Sequence, residues 1–128
     1  MTDGLHPDPP SILLVDDDAA FRSVLARSLR GRGYDVRVAA TYDEALAAAR
    51  LSQPRYAVVD VRMPGRSGVE LVEALTRDNP STAVVVLTGD RSEDLIAEVA
   101  RCGATYLPKP ADTDEVIAAL AQPTESQK

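Results

Sequence analysis

Short apolar runs alternate along the chain with segments whose apolar residues recur every three or four positions. Ile12-Leu13-Leu14-Val15 is the first run and ends in Asp16, Asp17 and Asp18. Phe21, Val24, Leu25, Ser28 and Leu29 follow at helical spacing, until Gly31 and Gly33 stop the helix. Val36 and Val38 alternate with Asp35 and Arg37, as on a strand with one wetter side. Thr41 and Glu44 have the spacing of a capping box, opening a helix with Tyr42, Ala45, Leu46 and Ala49 on one face. Tyr56 to Val59 reads as a buried strand ending at Asp60, followed by a turn at Pro64, Gly65 and Gly68. Leu71, Val72 and Leu75 mark a helix that stops near Asn79-Pro80. Ala83 to Leu87 is the most apolar strand and ends at Thr88. Leu95, Ile96, Val99 and Ala100 share the next helix. Thr105-Tyr106-Leu107 is a brief strand leading to Lys109, and Val116, Ile117 and Leu120 lie on a last helix capped by Asp112 or Thr113.

Continuous apolar strands alternating with helices require a parallel sheet covered on both faces. The predicted fold is therefore α/β, a doubly wound five-stranded parallel sheet sandwiched by five helices. Polar segments bracket it: residues 1–10 read as a loose tail, 11–121 as the domain, and 122–128 as a second tail or the start of a linker.

In such a sheet, ligands bind at the carboxyl ends of the strands. The residues predicted there are Asp16-Asp17-Asp18, Asp60, Thr88 and Lys109. Crowded carboxylates repel unless a cation joins them, and magnesium favours oxygen ligands. Lys109 offers a point charge and Thr88 a hydroxyl to a phosphoryl group, and an aspartate can serve as a phosphate-accepting nucleophile. Each residue alone has a plainer reading: Asp18 caps a helix, Asp60 forms a turn, Thr88 completes a strand, Lys109 is solvated. Four chemically matched residues at four strand ends favour the joint reading.

Composition narrows the picture. The 128 residues suffice for one domain, and the single cysteine, Cys102, leaves no internal disulfide. Cys102 reads as a small filler near a helix end, Phe21, Tyr34 and Tyr42 as packing. The only histidine, His6, lies in the N-terminal tail. A net charge of −6 and no basic stripe argue against nucleic-acid binding by this stretch alone. Apolar runs are too short to span a membrane, and the first ten residues do not resemble a signal peptide, so a cytoplasmic location is expected.

The motifs Leu14-Val15-Asp16-Asp17-Asp18, Val58-Val59-Asp60, Met63-Pro64-Gly65 with Gly68, Leu87-Thr88-Gly89 and Leu107-Pro108-Lys109-Pro110 resemble those of response-regulator receiver domains in spacing and order. That resemblance implies a phosphorylation-activated domain of a two-component system, with Asp60 accepting phosphate from a sensor histidine kinase. It implies Mg2+ held by Asp16, Asp17, Asp60 and the Arg62 carbonyl. It assigns phosphoryl contacts to Thr88 and Lys109, a switch to Thr88 and Tyr106, and a cis bond to Lys109-Pro110. A closer similarity, to the redox-responsive RegA/PrrA/ActR group, rests on Arg62, Leu87-Thr88-Gly89 and Lys109-Pro110-Ala111-Asp112. Members of that group carry a DNA-binding segment further on, so the domain is expected to be the regulatory half of a transcriptional regulator or a stand-alone receiver. Partners implied are the kinase and, on phosphorylation, a second copy of the chain; no enzyme activity is expected beyond self-dephosphorylation.

Asp90, two past Thr88, departs from the group's usual aromatic. It invites pairing with Arg62 across the pocket mouth. Pro108 lacks an N–H and suits only an edge strand. The alternative reading is a haloacid-dehalogenase-type phosphatase with Asp16 as nucleophile, since Asp16-x-Asp18 imitates its first motif; the setting at Ala19 and Ala20 speaks against it.

Overall fold

The computed structural model describes residues 9–62 and 68–121. The motif Met63-Pro64-Gly65, the turn at Pro64 and Gly65, residues 1–8 and residues 122–128 lie outside the described residues. Five strands alternate with five helices: β1 (Ser11–Val15), α1 (Ala19–Gly31), β2 (Asp35–Ala39), α2 (Tyr42–Ser52), β3 (Tyr56–Val59), α3 (Gly68–Asp78), β4 (Ala83–Thr88), α4 (Glu93–Arg101), β5 (Thr105–Pro108) and α5 (Thr113–Leu120). The strands form one parallel sheet in the order β2-β1-β3-β4-β5. Strand order reverses at β1 and β3, which places a crevice above their carboxyl ends.

Alternate strand residues feed two cores. Ile12, Leu14, Val58, Val85 and Leu87 pack with Leu25, Ala26 and Leu29 of α1 and Val116, Ala119 and Leu120 of α5. Leu13, Val15, Val59, Val84 and Val86 pack on the other face with Ala45 and Ala49 of α2, Leu71, Val72 and Leu75 of α3, and Leu95 and Val99 of α4. Each fully buried Leu or Val contributes on the order of 1.5–3 kcal/mol.

Helix starts follow local chemistry. Asp18 Oδ1 accepts from the Phe21 amide at 3.1 Å and so caps α1, as its position suggests. Thr41 caps α2 through the Glu44 amide, but Glu44 Oε1 accepts from Ala40, one residue before the cap, so the box is only half closed. The reciprocal box forms at α5 instead, between Asp112 and Glu115.

Three sequence expectations change with the tertiary context. Val38 is 44% exposed because β2 is an edge strand, and Val24 is 70% exposed because Ala26 takes the inward place on α1. Gly68 is not a turn residue; it is the buried first residue of α3. Pro108, by contrast, does sit on an edge strand, and the ladder steps past it through the Lys109 amide to the Thr88 carbonyl at 2.8 Å.

A Cβ built on Gly68 would stand 2.2 Å from Val61 Cα, a backbone atom that cannot swing away. Gly68→Ala should therefore destabilise the fold by roughly 1–3 kcal/mol or more in denaturant titration. Gly89→Ala, whose Cβ meets only the mobile end of Arg62 at 3.3 Å, should stay within about 0.5 kcal/mol of wild type.

Candidate functional site

Four strand ends supply the site. Asp16 follows β1, Asp60 follows β3, Thr88 ends β4 and Lys109 follows β5. β1 and β3 are adjacent with Val15 opposite Val59, so Asp16 and Asp60 leave the sheet side by side. Their backbones extend the ladder: the Asp60 amide donates to the Val15 carbonyl at 2.9 Å and the Asp16 amide to the Ala39 carbonyl at 3.1 Å. The Lys109 stem reaches past β4, and its Nζ donates to Asp16 Oδ2 and Asp60 Oδ2, both at 2.9 Å. The remaining carboxylate oxygens accept backbone amides at 2.9 Å, Asp16 Oδ1 from Asp18 and Asp60 Oδ1 from Arg62.

Both aspartates are buried, with exposures of 1% and 7%. Burial pushes the Asp16 carboxyl above its ordinary value, with Lys109 and the Asp18 amide pulling the other way. Burial pulls Lys109 down, but its hydrogen bonds to Asp60 and Asp16 outweigh this and hold the ammonium above its usual value.

Thr88 is fully buried and accepts from the Asp90 amide at 3.3 Å. The half-buried Tyr106 donates its hydroxyl to the Asp90 carbonyl at 2.7 Å. Thr88 and Tyr106 thus grip one residue from its two ends. Arg62 and Asp90 form no ion pair: the Asp90 carboxylate accepts from the Ser92 amide at 2.9 Å instead. That bond chiefly lowers its pKa, with Arg62 a minor, through-space influence. The Lys109-Pro110 bond is cis. Cys102 is half-buried, and burial together with Glu73 and Glu98 raises its pKa, which disfavours a reactive thiolate.

The oxygen donors suit a hard divalent cation in kind. Asp17, however, is exposed, and among the described residues no three acidic, histidine or cysteine side chains already converge as a metal cluster. Asp16 and Asp60 converge on the Lys109 ammonium, and Asp17 stands exposed beside them.

Sequence reasoning missed three supports. Arg22 Nη1 donates to the Asp16 carbonyl at 2.7 Å, and Arg91 Nη2 to the Lys109 carbonyl at 2.9 Å. The Lys109 ammonium lies 4.1 Å from the Phe21 ring centroid. The arginines resemble any solvated arginine in sequence, and an aromatic at helical spacing reads as core.

Known proteins resolve the class of this site. The sequence matches the family described as response regulator receiver domain over residues 12–121. It is 40% identical over 121 residues to the acid tolerance regulatory protein ActR of Rhizobium meliloti, covering 94% of this chain and 62% of that protein. It is 41% identical to the photosynthetic apparatus regulatory protein RegA of Rhodovulum sulfidophilum, covering 88% of this chain and 62% of that one. A response regulator from Burkholderia pseudomallei, solved with a phosphorylated aspartic acid, calcium ion and citrate, superposes with a TM-score of 0.85 at 36% identity, over 88% of this chain and 67% of that one. Vibrio cholerae CheY4 does so with a TM-score of 0.81 at 31% identity, over 88% and 96%. The chain belongs to the response-regulator receiver family, a signalling module of two-component systems. It spans 62% of the length of the ActR and RegA relatives just named. Among the described residues no helix is long and apolar enough to cross a membrane.

The Lys109 bridge makes stability depend on pH. Its raised ammonium contributes stability that is fully present below the unfolded value of 10.5 and is lost as pH rises through the folded value. Asp16 acts oppositely, since a raised carboxyl is a penalty that develops as pH climbs from 3.8 through its folded value. In EDTA at neutral pH, Lys109→Met should destabilise by on the order of 1–3 kcal/mol, since it leaves two carboxylates facing each other. Melting curves should also show that the variant lacks the alkaline loss seen in wild type; parallel curves would mean that the bridge does not stabilise the fold.

Proposed function

We propose that Asp60 accepts the phosphoryl group from the phosphohistidine of a sensor histidine kinase, with Mg2+ bound. The observation that carries this is the bridge from Lys109 to Asp16 and Asp60, a cation already seated beside the reacting carboxylate. In transfer, the donor's bond to phosphorus breaks as a bond to an Asp60 oxygen forms. Asp16, Asp17, Asp60 and the Arg62 carbonyl would hold Mg2+, which neutralises charge on the transferring group when bound. Lys109 turns its donor from Asp60 to a phosphoryl oxygen, and the Thr88 hydroxyl donates to another. The domain spans residues 11–121, works in the cytoplasm, and is either the regulatory half of a transcriptional regulator or a stand-alone receiver. The ActR and RegA likeness favours the former. Its only catalysis is loss of its own phosphate, and phosphorylation promotes pairing with a second copy.

Acetyl phosphate with Mg2+ should add one phosphoryl group by intact mass, and Asp60→Asn should abolish it. Asp17→Asn should weaken Mg2+ binding by about tenfold or more in titration, since a charged ligand is lost. Labelling that survives in Asp60→Asn and disappears in Asp16→Asn would instead favour the phosphatase chemistry.

Phosphorylation switches the domain by drawing the Thr88 hydroxyl from the Asp90 amide to the phosphoryl group. The peptide on which Tyr106 rests is then released from one side, shifting the population between two packings around α4 and β5. Amide exchange across Arg91 to Gly103 should rise on phosphorylation, and Thr88→Ala should blunt the response. Unchanged exchange there would remove this switch.

A further inference from the structure

The Lys109 ammonium has three N–H donors, and two of them are taken by Asp16 Oδ2 and Asp60 Oδ2. The Phe21 ring lies against the same ammonium, its centroid 4.1 Å from Nζ. Phe21 is anchored through both its backbone and its side chain. The Phe21 amide is fixed by the Asp18 cap at 3.1 Å, and the half-buried side chain packs against the core that α1 and α5 form with the sheet. The face of an aromatic ring attracts a cation through its quadrupole and carries no net charge.

We propose that Phe21 is a positioning residue for phosphoryl transfer: its ring face keeps the Lys109 ammonium in place while that ammonium changes partner from Asp60 to the phosphoryl group. This rests on the reading that Asp60 is the acceptor. With acetyl phosphate as donor, the phosphorus–oxygen bond to acetate breaks as the bond from phosphorus to an Asp60 oxygen forms. Acetate leaves as an anion, so no proton has to move. During that step the Asp60 carboxylate, one of the two anions steering Lys109, is consumed. A third carboxylate in place of Phe21 would compete with the phosphoryl oxygens for the ammonium, and an aliphatic side chain would not attract it. The ring does neither, so its hold persists unchanged through the transfer.

The composition makes a clean test. Phe21 is the chain's only phenylalanine, so biosynthetic incorporation of fluorinated phenylalanines alters this position alone. Lys109 and Lys128 are the only lysines, so lysine-labelled protein gives two side-chain signals, with Lys128 as the internal control. Successive fluorines strip negative potential from the ring face with little change in volume. The logarithm of the phosphorylation rate with acetyl phosphate and Mg2+ should fall stepwise along the series. Phe21→Leu should be slower by about two- to sixfold, and Phe21→Tyr should stay within about twofold of wild type. In the unphosphorylated protein the Lys109 ε protons should show an upfield ring-current shift that Phe21→Leu abolishes. A rate independent of fluorine number overturns the positioning role, even where Phe21→Leu is slow through altered packing. A Lys109 signal without the ring-current shift overturns the contact. If the shift is present but wild type takes no phosphate, the Asp60 reading fails and the positioning role with it, while the contact stands.

Discussion

The ammonium of Lys109, held between Asp16 and Asp60, is the contact on which the site depends. Carboxylates this buried are unfavourable as anions, and a pair side by side is worse. A cation from a third strand offsets both terms and ties the ends of β1, β3 and β5 together without covalent chemistry. The same arrangement seats a cation directly beside the buried Asp60 carboxylate at the carboxyl edge of the sheet. One charge distribution therefore both supports the fold and sets a cation against Asp16 and Asp60.

The supports of that ammonium come from elements distant in sequence. Arg91, in the loop before α4, fixes the Lys109 carbonyl, and Arg22 on α1 fixes the Asp16 carbonyl. The start of α1 does several jobs within a few residues. Asp16 binds Lys109, Asp18 caps the helix, and Phe21 lies against the cation from its first turn. A helix start is suited to this, because its unsatisfied amides bind acidic side chains and so set the angle at which the next residues project.

Asp90 is the mechanical counterpart of the Lys109 bridge. Its amide donates to Thr88, its carbonyl accepts from Tyr106, and its carboxylate accepts from Ser92 at the start of α4. The buried Thr88 hydroxyl and the hydroxyl of Tyr106, a partly exposed residue of an edge strand, thus meet on one residue. Edge placement matters here: β5 has a partner on one side only, so its side chains can move without opening the central sheet.

Much of this was legible in the amino-acid sequence. Apolar runs and helical periodicities located all ten elements, and the alternation alone required a parallel sheet with both faces covered. The positions of Asp16, Asp60, Thr88 and Lys109 at strand ends followed, because a parallel sheet gathers those ends at one edge. Tertiary structure decided what depends on neighbours far along the chain. Val38 and Val24 match buried positions by period but face solvent, since edge placement and helix rotation are global properties. Asp17 stands exposed beside a buried Asp16, because the chain turns between them to begin α1. The Arg62–Asp90 pairing suggested by sequence gave way to a local bond from the Ser92 amide, which a short-range turn makes at a smaller cost in side-chain entropy. The contacts of Phe21 and Arg91 with Lys109 had no local signature at all. They arise only when strand order sets β5 beside β4 and α1 near the same edge, and strand order is a property of the whole chain.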